Sequence, residues 1–292
     1  MKNLQISQVL QTRNTGSNEF SARRVRDSFF NGLMDPLIGF DHFQLTNDVF
    51  GAHPHAGMSA ISYLFDDSVP YHNLDSIGTD RVITPGSMMW TWAGSGVVHT
   101  EFPVPNGGRV HGLQLFVNIP AHNKQHPPQS LFVDRAAIPE ILEEGLKVRV
   151  ISGSTGYTLN PVQTPDKLTF LHIFISAGKS FTHDLPKGWT GSIYTINGNV
   201  NFKNTVGQTK LSAGTVISVG LSDDNENLTF RAEENSEFIL LSGVPLNEEI
   251  FSSGAMAMSS PGELGKAISD FEEGKMGFIN MEGGKREVVL PV

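Results

Sequence analysis

Cysteine is missing altogether from these 292 residues. Disulfides, thiolate zinc sites and redox thiols are thereby excluded, and the chain suits a reducing compartment, so a cytoplasmic location is expected. No stretch approaches the roughly 20 apolar residues of a membrane span. Met1 to Asn14 also lacks the apolar centre of a secretory signal. Contact with a membrane is therefore not expected. Positive charge is scarce as well: 21 Lys and Arg against 30 Asp and Glu leave a formal net charge of −9. Affinity for nucleic acid rests mainly on Lys and Arg at phosphates, so no direct nucleic-acid binding is expected. The one basic cluster, Arg23-Arg24-Val25-Arg26, reads as a solvated face. A phosphate-loop glycine pattern and a Gly-x-Ser-x-Gly elbow are both absent, which removes two common catalytic frameworks.

What the chain does have is turns between short apolar runs. Its 30 Gly and 16 Pro are spread along the whole length. Between them lie segments rich in Ile, Val, Leu, Phe and Tyr at 58–65, 111–119, 146–152, 168–175, 191–196 and 237–243. Such spacing predicts an all-β sandwich or barrel. A weak internal repeat suggests duplication of a barrel: His53-Pro54-His55, Ser62-Tyr63 and Thr84-Pro85-Gly86 have the loose counterparts His183, Ile193-Tyr194 and Ser212-Ala213-Gly214. The boundary is expected near 140–150, which divides the chain into 1–142 and 143–292. One helix is expected at about 260–274. Ser260 can cap it, Pro261 suits its first position and Glu263 completes a capping box. Leu264, Ala267, Ile268 and Phe271 form one apolar stripe, and Gly274 stops it. A shorter helix is expected near 137–145, with Pro139 in its first turn.

The chemistry concentrates in two short patterns, His53-Pro54-His55 and His99-Thr100-Glu101. Alternate residues of a strand share a face, so each pattern offers two donors on one side. Two such strands side by side can bring three imidazoles and one carboxylate to a single divalent ion. Imidazole suits Fe, Zn, Cu and Ni, and the carboxylate adds hard-oxygen character. Three neutral His and one Glu leave about one positive charge on a divalent ion, which favours an anionic oxygen ligand in an open position. The other His residues read differently. His72, His122 and His126 sit in loop-like contexts, and His172 alternates with apolar residues as a hydrogen-bonded core His. His42 and His111 read as structural, with a supporting role behind the metal ligands as the other option. Phe40, Phe43, Phe50, Trp90 and Trp92 read mostly as core, although a flat aromatic substrate would need such walls.

At these residues the sequence resembles the pirin family of the cupin superfamily. The resemblance runs through Asp41-His42-Phe43, His53-Pro54-His55-Ala56-Gly57, Ile83-Thr84-Pro85-Gly86 and Ala93 to Glu101. It continues through His111 to Pro120, Lys147 to Gly153 and Gly243 to Glu248, and ends near Ile268 to Phe271. It implies a bicupin: two cupin-type β-barrels facing each other, with the C-terminal helix packed on the N-terminal barrel. It also implies one divalent metal per chain, usually Fe(II), held by His53, His55, His99 and Glu101, with Zn, Mn, Ni or Cu as other candidates. The second barrel keeps His183 but lacks a His-x-His and a later His-x-Glu, so no metal is expected there. The chain departs from the family pattern at Ala56, Met58 and Phe65-Asp66-Asp67, next to the site.

Two functions follow from the resemblance. One is a metal-dependent dioxygenase of the quercetin 2,3-dioxygenase type, taking a small aromatic or enol substrate plus O2, with Glu101 as general base. The other is a non-catalytic, iron-dependent regulator that senses redox state and binds a protein partner, either as a transcriptional co-regulator or beside a metabolic enzyme.

Overall fold

The computed structural model describes residues 2–280 and 287–291. All six apolar runs form strands, at Met58–Leu64, Val110–Asn118, Leu146–Ser152, Leu168–Ile175, Thr190–Asn197 and Ser236–Gly243. Pairing throughout these sheets is antiparallel. The chain forms two compact units, both built from strands, as the all-β bicupin expectation requires.

One unit comprises residues 14–23, 39–135 and the chain from Leu246 onward. Its larger sheet runs in the order Gln129–Val133, Met88–Trp92, Met58–Leu64, Val110–Asn118, Leu37–Leu45, Phe20–Arg26, Asn14–Gly16. Its smaller sheet runs His53–His55, Val97–Pro103, Tyr71–Asp75, Asp80–Ile83. Phe43, Leu45, Leu64, Tyr71, Ile83, Met89 and Val110 form one of its core clusters. Every residue of Met58–Leu64 is buried, because this strand has neighbours on both edges and is covered on both faces.

The helix expected near the C-terminus is Pro261–Glu272. The Ser260 hydroxyl accepts the Glu263 N–H at 3.2 Å, while the Glu263 carboxylate reaches back to the Ser259 N–H at 3.0 Å. Leu264, Ala267 and Ile268 pack on Ala56, Leu74, Val98, Met256, Met258 and Met276 of the same unit. Phe271, the last residue of the expected stripe, is 36% exposed and lies outside that cluster.

The other unit comprises the chain up to Arg13, residues 24–38 and residues 136–245. The units therefore interleave along the chain, where the expected division was a single cut after residue 142. The cause is strand pairing: Gln5–Ile6 and Leu10–Gln11 both hydrogen-bond to Thr215–Gly220. The helix expected at 137–145 is instead a short 3-10 turn, Arg135–Ala137, and a strand, Glu140–Glu143. That strand pairs with Leu146–Ser152 through a tight turn. Gly145 adopts φ +75 there, a conformation glycine takes at little cost and other residues resist. The core of this unit is packed with Phe181, Phe202, Phe230 and Phe238 among branched aliphatics.

Candidate metal centre

Register, more than proximity in sequence, assembles the centre. In the smaller sheet of the first unit His99 lies directly opposite His53, and Val97 opposite His55. On its other edge the same strand pairs His99 with Asp75 and Glu101 with Asn73. Directly paired residues share a face, so His53, His55, His99, Glu101 and Asn73 all project to one side.

The imidazoles meet there. His55 Nε2 lies 2.9 Å from His99 Nε2, and His99 Nε2 lies 3.1 Å from His53 Nε2. Their donor atoms all fall within 4.8 Å of one another. Outer partners turn these nitrogens inward. His53 Nδ1–H donates to the Gly51 carbonyl at 2.9 Å, and His99 Nδ1–H donates to Asn73 Oδ1 at 3.3 Å. A neutral imidazole protonated at Nδ1 carries a lone pair at Nε2. Burial keeps the rings neutral: it pulls His55 down to about 3, with His53 adding to the effect, and holds His99 well below the usual range. Burial also lowers His53, against the opposing Gly51 carbonyl and Asp48.

These nitrogens therefore crowd lone pairs together, an arrangement that a cation relieves. Metal–nitrogen bonds of about 2.1 Å at right angles separate two nitrogens by about 3.0 Å. The observed 2.9 and 3.1 Å match that spacing, so the three His fit a divalent ion.

Glu101 stands apart from this group. Its Oε1 accepts the Ser62 hydroxyl at 2.8 Å, and Ser62 Oγ also lies 2.7 Å from Gln114 Oε1. Burial pushes the Glu101 carboxyl up to about 7, against the lowering effect of the Ser62 hydrogen bond. A buried carboxyl that is half ionised near neutrality can accept a proton or give one up to a cation.

The strand carrying His53 and His55 is braced from behind. Ala56 is fully buried and faces away from the His side, into the cluster with Met256 and Met258. Its carbonyl accepts the Ala257 N–H at 2.9 Å. The Ala257 carbonyl in turn accepts Lys124 Nζ at 2.5 Å, and Lys124 also donates to Asn118 Oδ1 at 2.6 Å. Burial pushes Lys124 down to about 8. Gly57 permits this close approach: it sits at φ +68, and a Cβ there would lie 2.2 Å from the Ala257 carbonyl oxygen. Sequence reasoning missed Lys124, because a lysine beside two His and two Pro residues reads as loop. Ala56, a departure from the family pattern, thus sets how closely the Met256–Met258 strand approaches.

The remaining candidates separate. His72 lies in the strand Tyr71–Asp75, where a loop was expected, and its Nε2 contacts Asp80 Oδ1 at 2.5 Å. His172 is buried and bonded to Glu237 at 2.8 Å, as a core His should be. Phe40, Phe43, Trp90 and Trp92 are buried. Phe50 is 52% exposed, with its ring centroid 6.2 Å from that of His53. In the second unit His183 is buried, pulled down to about 4 by burial, with Nδ1 3.0 Å from Thr155 Oγ1. The residue paired with it across the sheet is Leu228.

Comparison with known proteins places these features in a family. Residues 10–117 match the family described as Pirin, and residues 170–277 match the Pirin C-terminal cupin domain. Pirin of Rattus norvegicus is 33% identical over 254 residues, which span 87% of this chain and 85% of that protein. The crystal structure of a quercetin 2,3-dioxygenase from Acinetobacter baumannii superposes with a TM-score of 0.82 at 26% identity, covering 94% of this chain and 99% of that one. The bacterial pirin YhhW of Escherichia coli, solved in complex with nickel(II), shares the fold at a TM-score of 0.61 and 16% identity, covering 83% of this chain and 99% of that one.

Proposed function

This chain belongs to the pirin family, and from that premise we propose that it is a metal-dependent dioxygenase opening a small aromatic or enol substrate with O2. The reaction is of the quercetin 2,3-dioxygenase type. The observation that carries this reading is the set of three converging Nε2 atoms on the same sheet face as a buried carboxyl with a pKa of about 7. His53, His55 and His99 would hold one divalent ion, Fe(II), with the ionised Glu101 carboxylate as the fourth ligand. When bound, the metal supplies a Lewis acid and a template for an anionic oxygen of the substrate.

The protein's own groups do the rest. Glu101, once loosened from the cation, would accept the proton of an enol or flavonol hydroxyl. Ser62 and Gln114 hold that carboxylate in place through the pair of short contacts. His55 and His99, each only 2% exposed, would shield their side of the ion from bulk water. Phe50 and Phe116 flank the imidazoles with apolar faces suited to a flat ring. The nickel found with the Escherichia coli relative supports a first-row dication in this chain as well. Oxygen consumption and carbon monoxide release with quercetin, using fully Fe(II)-loaded protein, test the proposal. Absence of turnover sinks it.

Burial of His55 and His99 also suits a second reading, an iron-dependent regulator in which the metal state is read by a protein partner. Affinity capture with the Fe(II) and Fe(III) forms separates the two. Identical partner sets from both forms exclude the regulator.

A further inference from the structure

Beside the three imidazoles stands a buried amide with one half unmatched. Asn73 lies in Tyr71–Asp75 and is fully buried. Its Oδ1 accepts His99 Nδ1–H at 3.3 Å, while its Nδ2 has no hydrogen-bond partner among the described residues. A buried N–H group without an acceptor is destabilising, and native interiors keep few of them. Turning the amide over does not serve the centre. His99 offers a lone pair at Nε2 only when Nδ1 carries the hydrogen, and that hydrogen needs an oxygen acceptor. Oδ1 therefore belongs to His99, and Nδ2 has to find its acceptor elsewhere.

Register identifies the neighbours of Nδ2. Asn73 pairs with Glu101 on one edge of its strand and with Arg81 on the other. Directly paired residues share a face with Cβ atoms about 4.5–5.5 Å apart, so these side chains project to the side that carries the imidazoles. Arg81 has no acceptor to offer, and its guanidinium lies 5.2 Å from the centroid of the Phe132 ring. Asp75, two residues along, shares the face but already accepts three donors. These are the Thr79 N–H at 2.7 Å, the Ile77 N–H at 3.2 Å and the Ser130 hydroxyl at 2.7 Å. Glu101 is the acceptor that remains. Ser62, on one carboxylate oxygen, is its hydrogen-bond partner among the described residues. To serve as a ligand Glu101 also has to advance, because its oxygens lie outside the group whose donor atoms fall within 4.8 Å of one another. The amide bonded to His99 and paired with Glu101 lies beside that path.

We propose that Asn73 is a positioning residue that ties two metal ligands together: Oδ1 fixes His99, and Nδ2 donates to the Glu101 carboxylate once it has advanced to the cation. The inference rests on the four-ligand centre proposed above and adds the group that holds its fourth ligand. A carboxylate bound to a cation through one oxygen keeps lone pairs for such a donor. Loading with metal thus matches the unmet donor with its acceptor, and part of the affinity for the cation comes from that bond.

Diamagnetic Zn2+ is the probe. Affinity is read by chelator competition, and the Asn73 side-chain amide, assigned through its backbone, by NMR of nitrogen-labelled protein. In the unaltered protein one Nδ2 proton should shift downfield on loading, and the shift should be lost in Glu101→Ala. Asn73→Ala should weaken Zn2+ binding by roughly 10–100-fold. In the Glu101→Ala background the same change should have an effect at least about 3-fold smaller, because only the support of His99 is left to lose. A downfield shift of equal size with and without Glu101 overturns the proposal. So does an equal loss of affinity in both backgrounds, which would assign Asn73 to His99 alone. The NMR arm needs no Asn73 variant, so poor folding of Asn73→Ala leaves the test intact. Failure of the four-ligand centre looks different: Zn2+ affinity would then be unchanged in Glu101→Ala itself, which overturns both readings.

Discussion

The two units share an architecture of antiparallel sheets and differ in what their smaller sheets present. In the first, the paired strands His53–His55 and Val97–Pro103 set His99 opposite His53. In the second, Ser180–Leu185 pairs with Glu226–Ala232, setting Leu228 opposite His183 and Phe230 opposite Phe181. Phe230 then carries the packing: its ring centroid lies 5.2 Å from Phe202 and 4.9 Å from Phe238. One framework thus supports a polar, cation-ready interior in one case and an apolar interior in the other. The difference lies in a few inward positions, because alternation gives each strand a separate inner set of side chains that can change while the ladder stays intact.

The sharpest way to break the comparison is His55→Ala. It should abolish the single equivalent of metal held at the centre, measured by elemental analysis, while melting of the metal-free protein changes little. Retention of that equivalent would refute the three-imidazole centre. In the second unit Phe230→Ala should cost about 3–5 kcal/mol of stability by denaturant titration, since it empties the middle of a stacked cluster. Metal stoichiometry should stay the same in that variant, because the second interior holds no part of the centre proposed here.

A smaller effect is expected at Lys124. Lys124→Met leaves the buried Ala257 carbonyl and Asn118 without their charged donor, which should cost about 1–3 kcal/mol. Because Ala257 is bonded to Ala56, beside His55, the same change should also weaken metal affinity. Lys124→Arg should restore part of it.

The smallest effect is a proton count. The Glu101 carboxyl is raised to about 7, so below that pH it is mostly protonated in the metal-free protein. If it joins the metal, calorimetry in buffers of different ionisation enthalpy should find close to one proton released at pH 6 and few at pH 8. Glu101→Gln should abolish the difference. The sign for stability is opposite to that of an ordinary carboxylate: the folded state holds the proton more tightly, so this group's contribution falls as pH rises from about 4.5 to about 7. His55, lowered to about 3, works the other way, and its contribution is lost as pH falls below about 6.5.

Much of this was legible along the chain. Strands such as Leu168–Ile175 and Thr190–Asn197 appear as apolar runs between turn residues, and the Ser260 cap and Pro261 marked a helix start that the structure keeps within a residue. The three His of the candidate centre were visible because strand alternation makes an i, i+2 pair a geometric statement. Other features were not. Glu140–Glu143 reads as helical because charged residues and a nearby Pro fit a first turn, yet its hairpin partner decides the outcome. The pairing of Leu10–Gln11 with Thr215–Gly220 links residues far apart, and no local pattern records it.

The sequence by itself determined the periods, the turns and which residue types can bind a cation, since these depend on neighbours a few residues away. Tertiary structure alone decided the registers: His99 against His53, Glu101 withdrawn to Ser62, Lys124 against the Ala257 carbonyl, and His42 against His111. Register is chosen by the burial of whole strand faces at once, and a shift of one residue turns every side chain to the other face. That choice is made by the assembled barrel, and with it the difference between a cluster of lone pairs and three unrelated histidines.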